Sequence, residues 1–145
     1  MRNFLMFMLA AMFCLPLMAQ STTNDDILRR AEVMPVFKVC EDARFANHPY
    51  RCTITQLMAH FDSSIQASSP AGKQTKAHLK FVVEKDGTVS NIDLVRGVVT
   101  DDTAITEELN TGILSVANNL VFQSAATQDG EPVRVQIEFS VALSY

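Results

Sequence analysis

The chain has 145 residues, which is the length of one domain of ordinary size. Hydrophobic residues make up 48% of it and charged residues 19%, which excludes an intrinsically disordered chain and predicts a buried core. The net charge is −4 and Lys and Arg are not clustered, so the composition argues against nucleic acid as a partner.

The first 19 residues have the pattern of a secretory signal peptide. Arg2 supplies a basic start, an unbroken apolar run extends from Phe4 to Leu15, and Ala19 is a small residue before a cleavage point. The run is shorter than the roughly 20 apolar residues of a membrane span. We therefore expect residues 1–19 to be removed and the protein to be periplasmic or secreted. A membrane-anchored form is the alternative if the segment is retained.

Residues 20–30 are predicted to be a flexible N-terminal arm, and residues 31–145 to be the folded domain. Once the signal peptide is removed, Cys40 and Cys52 are an even pair in an oxidising compartment. The chain has no CxxC motif, and His48 between two distant cysteines does not make a zinc ligand set. We predict a Cys40–Cys52 disulfide and no metal site.

Residues 53–65 have the periodicity of an amphipathic helix. Thr53 is a suitable N-cap, and Gln56 three residues later completes a capping box. His60 lies beside the apolar face, where a partly exposed structural residue is favoured over a catalytic base. Upstream of the helix, Pro35 predicts an edge strand or an extended segment. The apolar face of the helix consists of Ile54, Leu57, Met58, Phe61 and Ile65.

Residues 76–97 predict a β-hairpin. Apolar residues alternate with mostly polar ones up to Asp86-Gly87, a pair that favours a type I′ turn because both central positions need positive φ. The alternation changes parity after Val89, which predicts a β-bulge near Ser90 and Asn91. The inward-facing residues are then Ala77, Leu79, Phe81, Val83, Val89, Ile92 and Leu94.

A second helix and a last strand complete the domain. Asp101 or Asp102 is the predicted N-cap of the helix, because carboxylates complement the positive end of the helix dipole. The apolar stripe of the helix is Ile105, Leu109, Ile113, Val116 and Leu120. The inward residues of the strand are Val133, Val135, Ile137, Phe139, Val141 and Leu143.

These elements predict an α+β two-layer sandwich. The tight turn makes the first two strands antiparallel neighbours, and the second helix carries the chain back to place the third strand beside the first. The expected sheet is three-stranded and mainly antiparallel, in the order 2-1-3, and both helices cover its apolar face.

Two motifs and their order resemble the C-terminal domain of the TonB energy transducers. The hairpin motif, a hydrophobic strand that ends in Asp-Gly-x-Val, is matched by Phe81 to Val89. The last motif, Gly-x-Pro-Val followed by alternating apolar residues, is matched by Gly130 to Phe139. The paired cysteines before the first helix are similar to those of many short members. The resemblance covers about Val33 to Leu143 and implies the same fold.

The resemblance also implies a function. Family members bind the N-terminal TonB-box segment of outer-membrane receptors by adding it as a strand to the sheet edge, where backbone groups are unpaired. We therefore expect a periplasmic binding module associated with TonB-dependent outer-membrane transport, with a protein or peptide, such as a TonB-dependent receptor, as its partner. The last strand is that edge in the order 2-1-3. The expected partner-binding residues are Val133, Arg134, Val135, Gln136, Ile137, Glu138 and Phe139.

The alternative is a structural or self-associating periplasmic protein with no role in transport. Its edge would be covered by residues 31–38 or by a second copy of the chain in a homodimer. Catalysis is not expected, because the chain has no GxSxG, HExxH or phosphate-binding loop and its three histidines are scattered. We expect no cofactor.

Overall fold

The computed structural model describes residues 26–65 and 72–145, so the predicted signal peptide lies outside the described residues. Neither helix of this described part is long and apolar enough to span a bilayer. The helices are α1 (Pro49–Ser64) and α2 (Thr103–Asn118), and residues Ala43–Phe45 form a short 3-10 helix. The strands are β1 (Ile27–Leu28), β2 (Gln74–Val83), β3 (Val89–Arg96), β4 (Ala126–Gln128) and β5 (Glu131–Ser144).

The strands form a mixed sheet in the order β1-β5-β2-β3, and β4 pairs with the start of β5. The predicted α+β class with two helices is confirmed, but the predicted three-stranded sheet is wrong, because the sheet is mixed and has two further strands. The three predicted strands are neighbours in the expected order, as β3-β2-β5, and two short strands join them. β1 is parallel to β5 and comes from the predicted flexible arm, and β4 is antiparallel to β5. Two- and three-residue strands are too short to show an alternating pattern.

The two Asp-Gly pairs of the chain form different turns. Gly87 has φ of +84° while Asp86 does not have positive φ, and the Gly87 N–H donates to the Glu84 carbonyl. The predicted type I′ turn is therefore wrong, because this is a longer loop that ends in a left-handed glycine. At Asp129 and Gly130 both φ angles are positive, so the type I′ geometry occurs there, between β4 and β5. The predicted bulge after Ser90 is confirmed by a register shift and by positive φ at Asn91.

Helix α1 begins four residues before the predicted N-cap Thr53. Pro49 occupies the first turn, where the missing N–H of proline costs nothing. Thr53 is instead buried inside the helix, and its hydroxyl donates to the Pro35 carbonyl. The Gln56 side chain donates to the Val39 carbonyl rather than closing a capping box.

The predicted disulfide is confirmed between Cys40 and Cys52, whose Cα atoms are 6.2 Å apart. Because Cys52 lies in the first part of α1, the bridge ties the segment before the helix to the helix itself. This constraint supports the early start of α1.

Both helices pack on one face of the sheet, as predicted. Asp102 caps α2 by accepting hydrogen bonds from the N–H groups of Ala104 and Ile105. The core between the layers is built around aromatic rings: Phe139 packs against Phe61 of α1 at 5.8 Å and Phe81 of β2 at 6.1 Å. The inward residues of β5 are all nearly buried, so this strand has one core face and one outer face.

We predict that Gly87→Ala is more destabilising than the matched change Gly130→Ala. Both residues have positive φ, which costs an alanine about 1 kcal/mol. A Cβ at Gly87 would also lie 2.6 Å from the Phe122 carbonyl oxygen, whereas one at Gly130 meets no atom within 4 Å. Urea denaturation should show a free energy of unfolding at least about 1 kcal/mol lower for Gly87→Ala than for Gly130→Ala. Equal losses would contradict this packing of the hairpin tip.

Candidate strand-docking edge

The pairing of β5 with β2 decides which backbone groups of β5 face outward. Lys73 and Tyr145 exchange both backbone hydrogen bonds, at 3.1 and 2.9 Å. Such reciprocal pairs recur at every second residue of an antiparallel ladder, and this register is unbroken from Gln74↔Ser144 to Val83↔Val135. The odd-numbered residues of β5 therefore bond to β2. The even-numbered residues point their N–H and C=O groups to the opposite edge.

That opposite edge is only partly occupied. β4 and β1 pair with residues 131–135, and the Ser144 N–H donates to Asp62 Oδ1 of α1 at 3.1 Å. Because Val135 bonds to β2, its parallel pairing with Leu28 is made through its neighbours, and the Gln136 N–H donates to the Leu28 carbonyl. Beyond that bond, the Gln136 carbonyl and the N–H and C=O groups of the next three even-numbered residues have no partner in the described part of the chain. We call this set the outward row: Gln136, Glu138, Ser140 and Ala142.

The structure places the predicted site residues in two groups. Val133, Arg134 and Val135 lie where β4 and β1 already pair with β5. Ile137 and Phe139 bond to β2, so the open part of the edge begins at the Gln136 carbonyl and continues through Glu138 to Ser140 and Ala142. Sequence reasoning missed these last two residues, although the long alternating pattern that runs to Leu143 contained the signal.

The segment 31–38 does not cover this edge. Val33 and Val36 instead form antiparallel bridges with Thr127 and Ser124, beside β4. Residues 31–38 were the alternative expected to cover this edge, and they do not pair with the outward row.

The other edge of the sheet, β3, is irregular. Its pairing with β2 contains two register shifts, and Asn91 has positive φ at one of them. Bulges of this kind twist an edge strand away from further pairing. The β5 edge has no such shift and is the more regular template for an added strand.

Charged side chains flank the open edge on the outer face of the sheet. Nε2 of His78 lies 2.8 Å from Glu138 Oε1, and Nδ1 lies 3.3 Å from the Ser140 hydroxyl. Arg134 donates from Nε and Nη2 to the two carboxylate oxygens of Glu84, at 2.8 and 3.0 Å. These hydrogen bonds, and then a short one from the Ser90 hydroxyl, hold the pKa of Glu84 below its ordinary value.

Helix α1 lies on the inner side of the same edge. Besides the Asp62 contact with the Ser144 N–H, Phe61 is fully buried against Phe139. On the same helix, Met58 is 37% exposed and so offers apolar surface at the margin of the core. A strand added to β5 would lie in the layer of the sheet, with alternate side chains directed toward the α1 side.

The histidines are not assembled into a site within the described residues. His60 packs against Phe37 with ring centroids 5.4 Å apart, and burial lowers its pKa. His48 precedes α1, and His78 is on the outer sheet face. The described part of the chain contains no cluster of three His, Cys, Asp or Glu side chains that could hold a metal ion.

Comparison with protein-family models, curated proteins and solved structures gives no match to this chain. The likeness to the TonB C-terminal domain therefore rests on the motifs in the sequence.

We predict that Glu84→Gln lowers the free energy of unfolding by about 1 kcal/mol at about pH 7, because it weakens a charge-assisted pair that is only about one-quarter exposed. Since the folded-state pKa of Glu84 is lowered, its contribution is present above the unfolded pKa and is lost as pH falls through the folded pKa. Denaturation at about pH 7 and about pH 3 should show the difference between variant and parent shrinking at the lower pH.

Asp93→Asn is the matched control for this prediction. Asp93 pairs with Lys80 on the same face of the sheet, but the pair is more exposed. Its removal should change stability by less than the Glu84 substitution does. An equal loss for the two variants, unchanged by pH, would contradict the role assigned to Glu84.

Proposed function

We propose that this protein is a periplasmic binding module that captures an extended peptide as an additional strand on β5. The observation that supports this most directly is the outward row, which offers the Gln136 carbonyl and one N–H and one C=O from each of the other three residues on a regular edge. The captured strand would follow β1 along the same edge, beyond Leu28.

Main-chain bonding of this kind gives modest affinity. Each hydrogen bond contributes a net of about 0.5–1.5 kcal/mol, and association costs several kcal/mol of translational and rotational freedom. We therefore expect dissociation constants of about micromolar or weaker for a short peptide. Specificity would come from alternate side chains of the peptide, some near α1 and others near Glu138 and Arg134.

We propose further that the module is TonB C-terminal-like and that its partner is the N-terminal segment of a TonB-dependent outer-membrane receptor. This step is supported by the Phe81–Val89 and Gly130–Phe139 motifs. In the structure, the second motif begins with the turn at Gly130 and continues into β5, so the two motifs lie in the strands that form the centre of the sheet.

A self-associating protein is the competing function. The same open edge would pair with the edge of a second copy, and an exposed regular edge favours such pairing. The two functions differ in a simple measurement, because only self-association makes the mass in solution depend on protein concentration.

The test uses ¹⁵N-labelled protein and synthetic peptides that correspond to the N-terminal segments of outer-membrane receptors from the same organism. We expect the peptides to shift the amide resonances of the outward row most strongly. Ser140→Pro should weaken binding by about tenfold or more, because it removes one outward N–H while the ladder to β2 is kept.

Ser140→Ala is the matched control, since it removes the hydroxyl and retains the N–H; it should bind within about twofold of the parent. Ala142→Pro removes the next outward N–H and provides a second variant if Ser140→Pro does not fold. Unchanged binding by a folded proline variant would refute strand capture at this edge. Shifts that depend on protein concentration without peptide would support self-association instead.

A further inference from the structure

A second open stretch of backbone lies on the other side of β2. β3 ends at Arg96, which pairs with His78, while β2 extends back to Gln74. Because odd-numbered residues of β2 bond to β5, Gln74 and Lys76 turn their N–H and C=O groups toward the side that β3 has left. These groups have no partner in the part of the chain that the structure describes.

This stretch borders a cleft of about 630 Å³, which we call the β2 cleft. One wall is the first half of β2, and the facing wall is the connection from the end of β3 toward α2. Lys76 lines the cleft on the β2 side, and Val95, Arg96 and Val99 line it on the facing side.

The facing wall presents apolar side chains to solvent. Val95 is 51% exposed and Val99 is 83% exposed, although the outer face of the sheet is otherwise mostly polar. A register shift between His78 and Leu79 makes Val95 an extra residue in β3. Bulges redirect side chains and are frequent beside functional sites.

The backbone of this wall is firmly held. Asn110 of α2 accepts a hydrogen bond from the Val98 N–H at 2.7 Å and donates to the Val98 carbonyl at 3.2 Å. The Val98 side chain is buried in the core with 1% exposure, and a Cβ at Gly97 would lie 2.9 Å from Asn110 Oδ1. The exposed valines on either side of Val98 are therefore fixed in place.

The β2 cleft is also positively charged. Lys76 and Arg96 line it, and its lining contains no acidic residue. Neighbouring cations are neutralised, since Lys80 pairs with Asp93 at 3.0 Å and Lys73 with Asp101 at 3.2 Å. Within the described residues, Lys76 and Arg96 have no such partner, in a chain whose net charge is −4.

We propose that the β2 cleft binds the C-terminal end of an extended peptide. The peptide backbone would pair with Gln74 and Lys76, its terminal carboxylate would contact Lys76 and Arg96, and an apolar side chain would pack against Val95 and Val99. A chain end is favoured over an internal segment because the open stretch of β2 is only four residues long and the Lys73–Asp101 ion pair joins the two walls beyond it. Ser140 of the outward row also borders the cleft, but the backbone groups proposed to bind here belong to β2, so this site does not depend on strand capture at β5.

The test compares two forms of one probe, the acetylated tetrapeptide Thr-Val-Thr-Val with a free C-terminal carboxylate or with a C-terminal amide. We expect the carboxylate form to shift the amide resonances of Lys76, Arg96 and Val99 in ¹⁵N-labelled protein. The amide form should bind about tenfold more weakly, because it lacks the charge that the two cations recognise.

Arg96→Gln should weaken binding of the carboxylate form by about tenfold and bring it close to that of the amide form. Arg51→Gln, which removes an exposed charge on α1, is the matched control and should leave the affinity unchanged. Equal affinity for the two probes would overturn the proposal. Shifts at Glu138 of the outward row without shifts at Lys76 and Arg96 would overturn it as well. Shifts of the cleft resonances with protein concentration alone would also overturn it, because they would make a second copy the occupant.

Discussion

The antiparallel ladder between β2 and β5 is the constraint on which the rest of the structure depends. Its register is constant from Gln74↔Ser144 to Val83↔Val135, so it fixes at once the core face of both strands and the direction of every backbone group on them. Slipping the register by one residue would turn the buried row of β5 to solvent. The same register leaves two separate stretches of backbone open, one on β5 and one on β2.

The packing on the inner face supports the same ladder. Phe139 of β5 contacts both Phe61 of α1 and Phe81 of β2, and the ring centroid of Phe122 lies 6.1 Å from that of Phe81. These rings hold helix, sheet and the segment before β4 in one core. The disulfide between Cys40 and Cys52 attaches the N-terminal segment to α1. The contact between Phe61 and Phe139 holds the same helix against β5. A rigid edge reduces the entropy that is lost when a strand is added.

The long elements of this protein were predictable from its sequence, whereas the short ones were not. The alternation from Val133 to Leu143 and the carboxylate at Asp102 act locally, and each produced the expected element. Strand β1 has two residues, and its conformation comes from pairing with Arg134 and Val135 rather than from its own sequence. The Asp129-Gly130 pair is a usable local signal for a tight turn, but no strand was predicted before it. Whether the edge of β5 is open depends on where residues 26–38 lie, which is a tertiary property.

The central claim is that the outward row of β5 is open in the free protein and closes on a captured strand. Native-state amide hydrogen exchange, measured by NMR, tests it most directly. Glu138, Ser140 and Ala142 should exchange much faster than the neighbouring odd-numbered residues, and should become protected when a receptor peptide is added. Equal protection of odd and even residues in the free protein would show that the edge is already covered, and would contradict strand capture at β5.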